Sequence, residues 1–192
     1  MSGMKKETMK PLCGIDEAGR GPIAGSLVMA GVVLLGKIDG LMDSKKLTEK
    51  RREALFGHIT ENSRHHIVIF SARQVDELGI SKCLHQGLQS IQRHLSECRY
   101  LFDGNSTFGV ENIATMIKAD DKVAEVSAAS ILAKVTRDRE MVEVAKRYPQ
   151  YGFEKHKGYG TKAHIEALAK HDRCEVHRKT FRIKALDEPT LF

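Results

Sequence analysis

Residues 26–35, SLVMAGVVLL, form a β-branched apolar run too continuous for a strand with one face in water. A chain built around such a strand needs cover for it, and the flanking pattern supplies both strands and helices. Residues 11–16 (PLCGID), 65–71 (HHIVIFS), 98–102 (CRYLF) and 113–117 (IATMI) read as four further short strands. Thr48 is placed to cap a helix with Leu55 and Ile59 at helical spacing. Leu84, Leu88, Ile91 and Leu95 recur at i, i+4, i+7 and i+11 and predict an amphipathic helix over 81–97, with Gly79 ending a shorter helix before it. From 121 to about 146 the period is helical again, with Ala128, Ile131, Leu132, Val135 and Val142 on one stripe, and Pro149 stops it. Residues 161–171 form a last helix with Thr161 at its cap. This order predicts an α/β core over 11–147, a mixed β-sheet flanked by helices. A flexible tail at 1–10 precedes it, and a small, basic, mostly helical extension at 148–192 packs on it.

The charge is unevenly placed. The formal net charge is +6 over 192 residues. Between Lys134 and Lys184 there are 14 Lys/Arg and seven Asp/Glu, and the rest of the chain nets −1. A basic C-terminal part suits a polyanionic partner, although a solvated basic face has the same composition. No apolar run approaches the roughly 20 residues of a membrane helix. Residues 1–11 lack the apolar segment of a secretory signal. Cysteines at 13, 83, 98 and 174, with no C-x-x-C, read as reduced thiols of a cytoplasmic protein. Cys83, His85, His94 and Cys98 do not make a zinc site, because 11 residues of helix hold Cys83 and His94 roughly 16 Å apart.

Acids stand where the predicted strands end. Asp16 and Glu17 close the first and precede Gly19-Arg20-Gly21. Asp103 closes a later one before Gly104-Asn105. Asp120 and Asp121 lie where the last strand gives way to the long helix. Strand ends on one edge of an α/β sheet converge, and carboxylates gathered there need cations to stay ionised together. Oxygen donors of this kind suit Mg²⁺ or Mn²⁺. Two such ions at a phosphodiester would activate water and stabilise the leaving oxygen. Each acid taken singly could instead cap a turn. Adjacent strand residues point to opposite faces, so Asp16 and Glu17 share one site only if the strand ends near Asp16.

The ordered segments GIDEAGRGP (14–22), DSKKL (43–47), DGN (103–105), KADDKVAEVSAASILAKVTRDRE (118–140), YPQYGFEKHKGYGT (148–161) and HRKTF (177–181) resemble bacterial ribonuclease HII from Cys13 to about Arg182. The resemblance implies a ribonuclease H-like fold and metal-dependent cleavage of RNA paired with or joined to DNA. It carries the family's four catalytic, metal-holding acids onto Asp16, Glu17, Asp103 and Asp120. The family's usual K-G-D-S stands here as Lys118-Ala119-Asp120-Asp121, and counting back from Ser127-Ala128-Ala129-Ser130 selects Asp120. The resemblance also implies that Gly19, Arg20 and Gly21 read the 2′-OH of the ribonucleotide, and that Tyr159 stacks on the sugar 3′ of it. Ser44, Lys45 and Lys46 join the substrate-binding set, with phosphate contacts among Lys134, Arg137, Lys155 and Lys157. His164 reads as structural support.

The implied activity is an endoribonuclease that cuts RNA–DNA hybrids, and duplex DNA 5′ of a single ribonucleotide, to leave 5′-phosphate and 3′-OH ends. Two Mg²⁺ or Mn²⁺ ions would serve it, and ribonucleotide removal from DNA would be its role. A junction resolvase, an integrase or a silent nucleic-acid-binding module remains open on the residues alone. The closing DEPTLF (187–192) has the apolar end of tails that dock on a sliding clamp, and equally of a free end.

Overall fold

The computed structural model describes residues 9–41 and 47–187. Its strands are β1 (Leu12–Ala18), β2 (Leu27–Leu34), β3 (Ser63–Phe70), β4 (Arg99–Asp103) and β5 (Ile113–Met116). The helices are α1 (Glu49–Glu61), α2 (Ala72–Leu78), α3 (Ile80–His94), α4 (Ala124–Arg147), α5 (Phe153–His156), α6 (Lys162–His171) and α7 (Lys184–Asp187). The strands form one mixed sheet in the order β3-β2-β1-β4-β5. The pairs β1/β2 and β2/β3 are antiparallel, while β1/β4 and β4/β5 are parallel. β2 is the long apolar run, and seven of its eight residues are buried, which accounts for its unbroken apolar sequence.

Two clusters cover the two faces of the sheet. On one face Cys13, Ile15, Met29 and Phe102 pack with Leu84, Leu88 and Ile91 of α3. On the other, Val28, Ala30 and Val32 pack with Leu55 and Ile59 of α1 and with Ala128, Ile131, Leu132 and Val135 of α4. A third cluster joins the end of α4, through Met141, Val144 and Ala145, to Tyr151, Phe153, Leu168 and Ile183. Val142, expected on the α4 stripe, is only half-buried. The helix leaves the sheet there, and its inward face turns to meet the C-terminal residues instead. Thr48 and Thr161 cap α1 and α6 as expected, each accepting from a backbone N–H three residues on. α2 is capped by Ser71, with Gln74 returning a bond to the Ser71 N–H, and ends at Gly79, φ 79°.

Candidate active site

β1 and β4 run parallel with Ile15 beside Phe102, so Asp16 and Asp103 follow side by side. Both point to the α4 face, because Gly14, two residues before Asp16, lies against the start of α4. A Cβ on Gly14 would stand 2.2 Å from the Glu125 carbonyl carbon. Asp103 Oδ1 accepts the Ala119 N–H at 2.9 Å, which fixes the 3₁₀ turn Ala119–Asp121 against the end of β4. The turn buries Asp120 to 1% exposure and leaves Asp121 exposed. One carboxylate oxygen each from Asp16, Asp103 and Asp120 lies within 4.8 Å of the others. Lys118 takes the left-handed conformation there (φ 56°), and Ala119 does not, so alanine serves where a glycine is usual.

Burial drives the Asp16 carboxyl well above the usual carboxylate range, and the charges of Glu17 and Asp103 push the same way. The Glu17 N–H, at 2.7 Å, and Ser130 hold the charged form against that rise. Three acids, two buried and Asp103 half-buried, offering hard oxygen donors at close spacing, fit a divalent cation.

β1 does not end at Asp16. It runs on to Ala18, with Glu17 paired to Met29. Glu17 therefore leaves from the opposite face and does not join the other three at that spacing. Its Oε1 takes the Arg20 guanidinium at 2.6 Å. Its Oε2 is buried and accepts no hydrogen bond. Burial, opposed by Arg20 and reinforced by Asp103, lifts Glu17 to about 6. A buried acceptor without a partner is one that a bound cation would satisfy, and Glu17 is close enough to Asp103 for their charges to interact.

A cavity of about 390 Å³ adjoins the acids, lined by Glu17, Gly19, Arg20, Gly21, Ser130 and Tyr159, with Arg52 and Lys134. The loop after β1, the expected sugar-reading loop, thus faces Tyr159 across one space. Gly19 (φ 94°) must be glycine, since its Cβ would stand 2.3 Å from Arg137 Nε. Arg137 was expected to meet phosphate. It is instead 1% exposed and donates to the Ser26 and Ala24 carbonyls at 3.0 Å each, because the turn at 24–26 wraps around it. Arg178 is equally buried and donates to the carbonyls of Gly19, Arg20, Gly25 and Ser26. Lys134 is held by Asp138 at 2.8 Å beside the cavity. Lys155 is exposed, and Lys157 bonds the Glu154 carbonyl. Ser44, Lys45 and Lys46 lie outside the described residues. Arg52 and Ser130 gave no signal of their own in the sequence. Arg137 did, as a cation between Ala133 and Met141 on an apolar stripe.

A family model for ribonuclease HII matches residues 13–184. The chain belongs to the ribonuclease HII family. A ribonuclease HII of Sulfurovum sp. (strain NBC37-1) is 76% identical over 98% of this chain and all of its own length. In fold, the chain is similar to the ribonuclease HII of Archaeoglobus fulgidus, solved in complex with PCNA (TM-score 0.78, 28% identity, 94% of this chain and 98% of that one). It is also similar to the ribonuclease H2 of Pyrococcus horikoshii OT3 (TM-score 0.71, 27% identity, 88% and 93%). The sheet and its flanking helices are a ribonuclease H-like fold, and the chain is a ribonuclease H-type hydrolase, an endoribonuclease. No described helix is long and apolar enough to cross a membrane.

Proposed function

We propose that this ribonuclease HII hydrolyses the phosphodiester 5′ of a ribonucleotide, in RNA–DNA hybrids and at single ribonucleotides in duplex DNA, leaving 5′-phosphate and 3′-OH. The observation that carries the reading is the close trio Asp16, Asp103 and Asp120, with Ser130, which holds Asp16, lining a cavity together with Glu17, Gly19-Arg20-Gly21 and Tyr159. Asp16, Glu17, Asp103 and Asp120 would hold Mg²⁺ or Mn²⁺. The bound ions would supply an activated water and stabilise the departing 3′ oxygen.

The chain's own residues bind and orient. Ser130 lines the cavity and steadies Asp16. The loop at 19–21 offers main chain close to a ribose, whose 2′-OH donates and accepts. Tyr159 is 46% exposed and presents a flat ring to the following sugar. An extra hydroxyl on that sugar would crowd the ring, so the site favours an RNA-to-DNA junction. Arg52 and Lys134, at the cavity wall, receive phosphates. The described part of residues 148–192 is read as an extension packed on the 11–147 core, and ribonucleotide removal in the cytoplasm is the role. The Leu191-Phe192 tail, outside the described residues, is read as a sliding-clamp contact, supported by the complex of the Archaeoglobus relative.

The test is a panel with Mg²⁺ and with EDTA: a duplex carrying one ribonucleotide, a uniform hybrid and a four-way DNA junction. Cleavage of the first two, lost in EDTA, and loss of turnover with retained hybrid binding in Asp16→Asn are expected. Cleavage of the junction alone would overturn the reading.

A further inference from the structure

A chain of buried hydrogen bonds ends on Tyr159. The Cys174 N–H donates to His177 Nδ1 at 2.9 Å, which places the His177 proton on Nε2. His177 Nε2 meets His164 Nε2 at 3.0 Å, so the latter accepts. That leaves the His164 proton on Nδ1, which lies 2.9 Å from the Tyr159 carbonyl and donates to it. Each proton in the chain is thus placed by its neighbour. His164 is 0% and His177 1% exposed.

The ring of Tyr159 is held as well. The buried Arg137 guanidinium lies over it, 5.7 Å from its centroid. Arg137 Nη1 is buried with no hydrogen-bond acceptor, which suits a group facing a π surface. The preceding residue, Gly158, is pinned too: its carbonyl accepts from the Ile23 and Ala24 N–H groups, and a Cβ there would stand 2.4 Å from the Ala24 oxygen.

We infer that His164 is a positioning residue: its neutral Nδ1–H fixes the Tyr159 carbonyl and so sets the ring at the angle that distinguishes a deoxyribose from a ribose 3′ of the cut. The inference rests on the reading of Tyr159 as the sugar-contacting residue. His164 does not touch substrate. It lies behind the tyrosine, walled by Phe153, whose ring centroid is 5.3 Å from its own, and by His156.

Two amide replacements separate the His164 bonds. In His164→Asn the amide nitrogen takes the place of Nδ1 and keeps the bond to Tyr159. In His164→Gln the amide oxygen takes the place of Nε2, accepts from His177 and keeps only that link. Both bury one amide, so they burden folding alike, and circular dichroism and Tm check that each is folded. The readout is the ratio of kcat/KM on a single-ribonucleotide duplex to that on a uniform RNA–DNA hybrid. His164→Gln should lower the ratio about tenfold and His164→Asn should restore most of it. Equal ratios in the two variants, or a lower one in His164→Asn, would overturn the positioning role. Tyr159→Ala is run beside them. If it leaves the ratio unchanged, the sugar-contacting reading fails and this inference with it. If it alone lowers the ratio, only the role of His164 fails.

Discussion

Asp120 and Asp121 carry the same carboxylate on neighbouring residues, and burial separates them. The 3₁₀ turn points the first into the acidic trio and the second into solvent. Asp120→Asn should cut turnover by about three orders of magnitude, and Asp121→Asn by less than about threefold, in steady-state cleavage with Mg²⁺. Asp16 invites a different measurement. Its carboxyl is destabilised in the folded protein by burial and by its acidic neighbours, so neutralising it relieves the fold. Asp16→Asn should unfold at a higher urea midpoint than the native protein in metal-free titrations while losing cleavage. Adding Mg²⁺ should stabilise the native protein far more than the variant. Asp16 and Asp103 were legible in the sequence because each closes an apolar run, whereas Asp120, in the turn after β5, was singled out from Asp121 only by the family resemblance. The place of Glu17 was not legible, since only pairing with Met29 shows that β1 continues past Asp16. Arg178 looks like a surface cation in a basic stretch, and Arg137 is marked only by its place on the apolar stripe of α4. Their burial follows from backbone carbonyls more than 110 positions away in the chain.

At the level of elements, the site depends on how closely β1 approaches α4. Gly14 is the contact, and its missing side chain lets the strand lie against the Glu125–Val126 peptide. Gly14→Ala forces the two apart and should cost about 3 kcal/mol or more in denaturant unfolding. It should also lower turnover in the folded fraction, since Asp16 moves relative to Asp120. Elements with strong local signals were readable from sequence: the α3 stripe of Leu84, Leu88, Ile91 and Leu95 is buried throughout. Val142 misled because one helical period was extended across a change of partner, from the sheet to the C-terminal cluster. No local pattern records such a change.

For the whole molecule, the C-terminal segments and the core are laced together. The loop at 19–26 bonds to Gly158, Val176 and Arg178, and Asp76 on α2 accepts from Lys179 and Thr180. Thermal unfolding should therefore be a single transition by both far-UV and near-UV circular dichroism. Two buried imidazoles contribute to its pH dependence with one sign. Burial lowers both His164 and His177 to about 4, each by its own desolvation first. Between about pH 6.5 and 4 these side chains bind protons in the unfolded chain that the folded one refuses, so their contribution to stability falls as the pH drops through that window and levels off below it, against the opposite contribution of the raised Asp16 and Glu17. Each imidazole should contribute at most about 3 kcal/mol to the difference between the unfolding free energies obtained from urea titrations at about pH 7 and about pH 4.5.

Arg178 clasps four carbonyls of a loop that is made more than 150 residues before it. At roughly 5–20 residues per second, that loop waits some ten to thirty seconds on the ribosome for its clasp. A nascent chain already holding Asp16, Asp103 and Asp120 would still lack the clasp on the loop after β1. Translation itself then delays closure of that loop until Arg178 has been made.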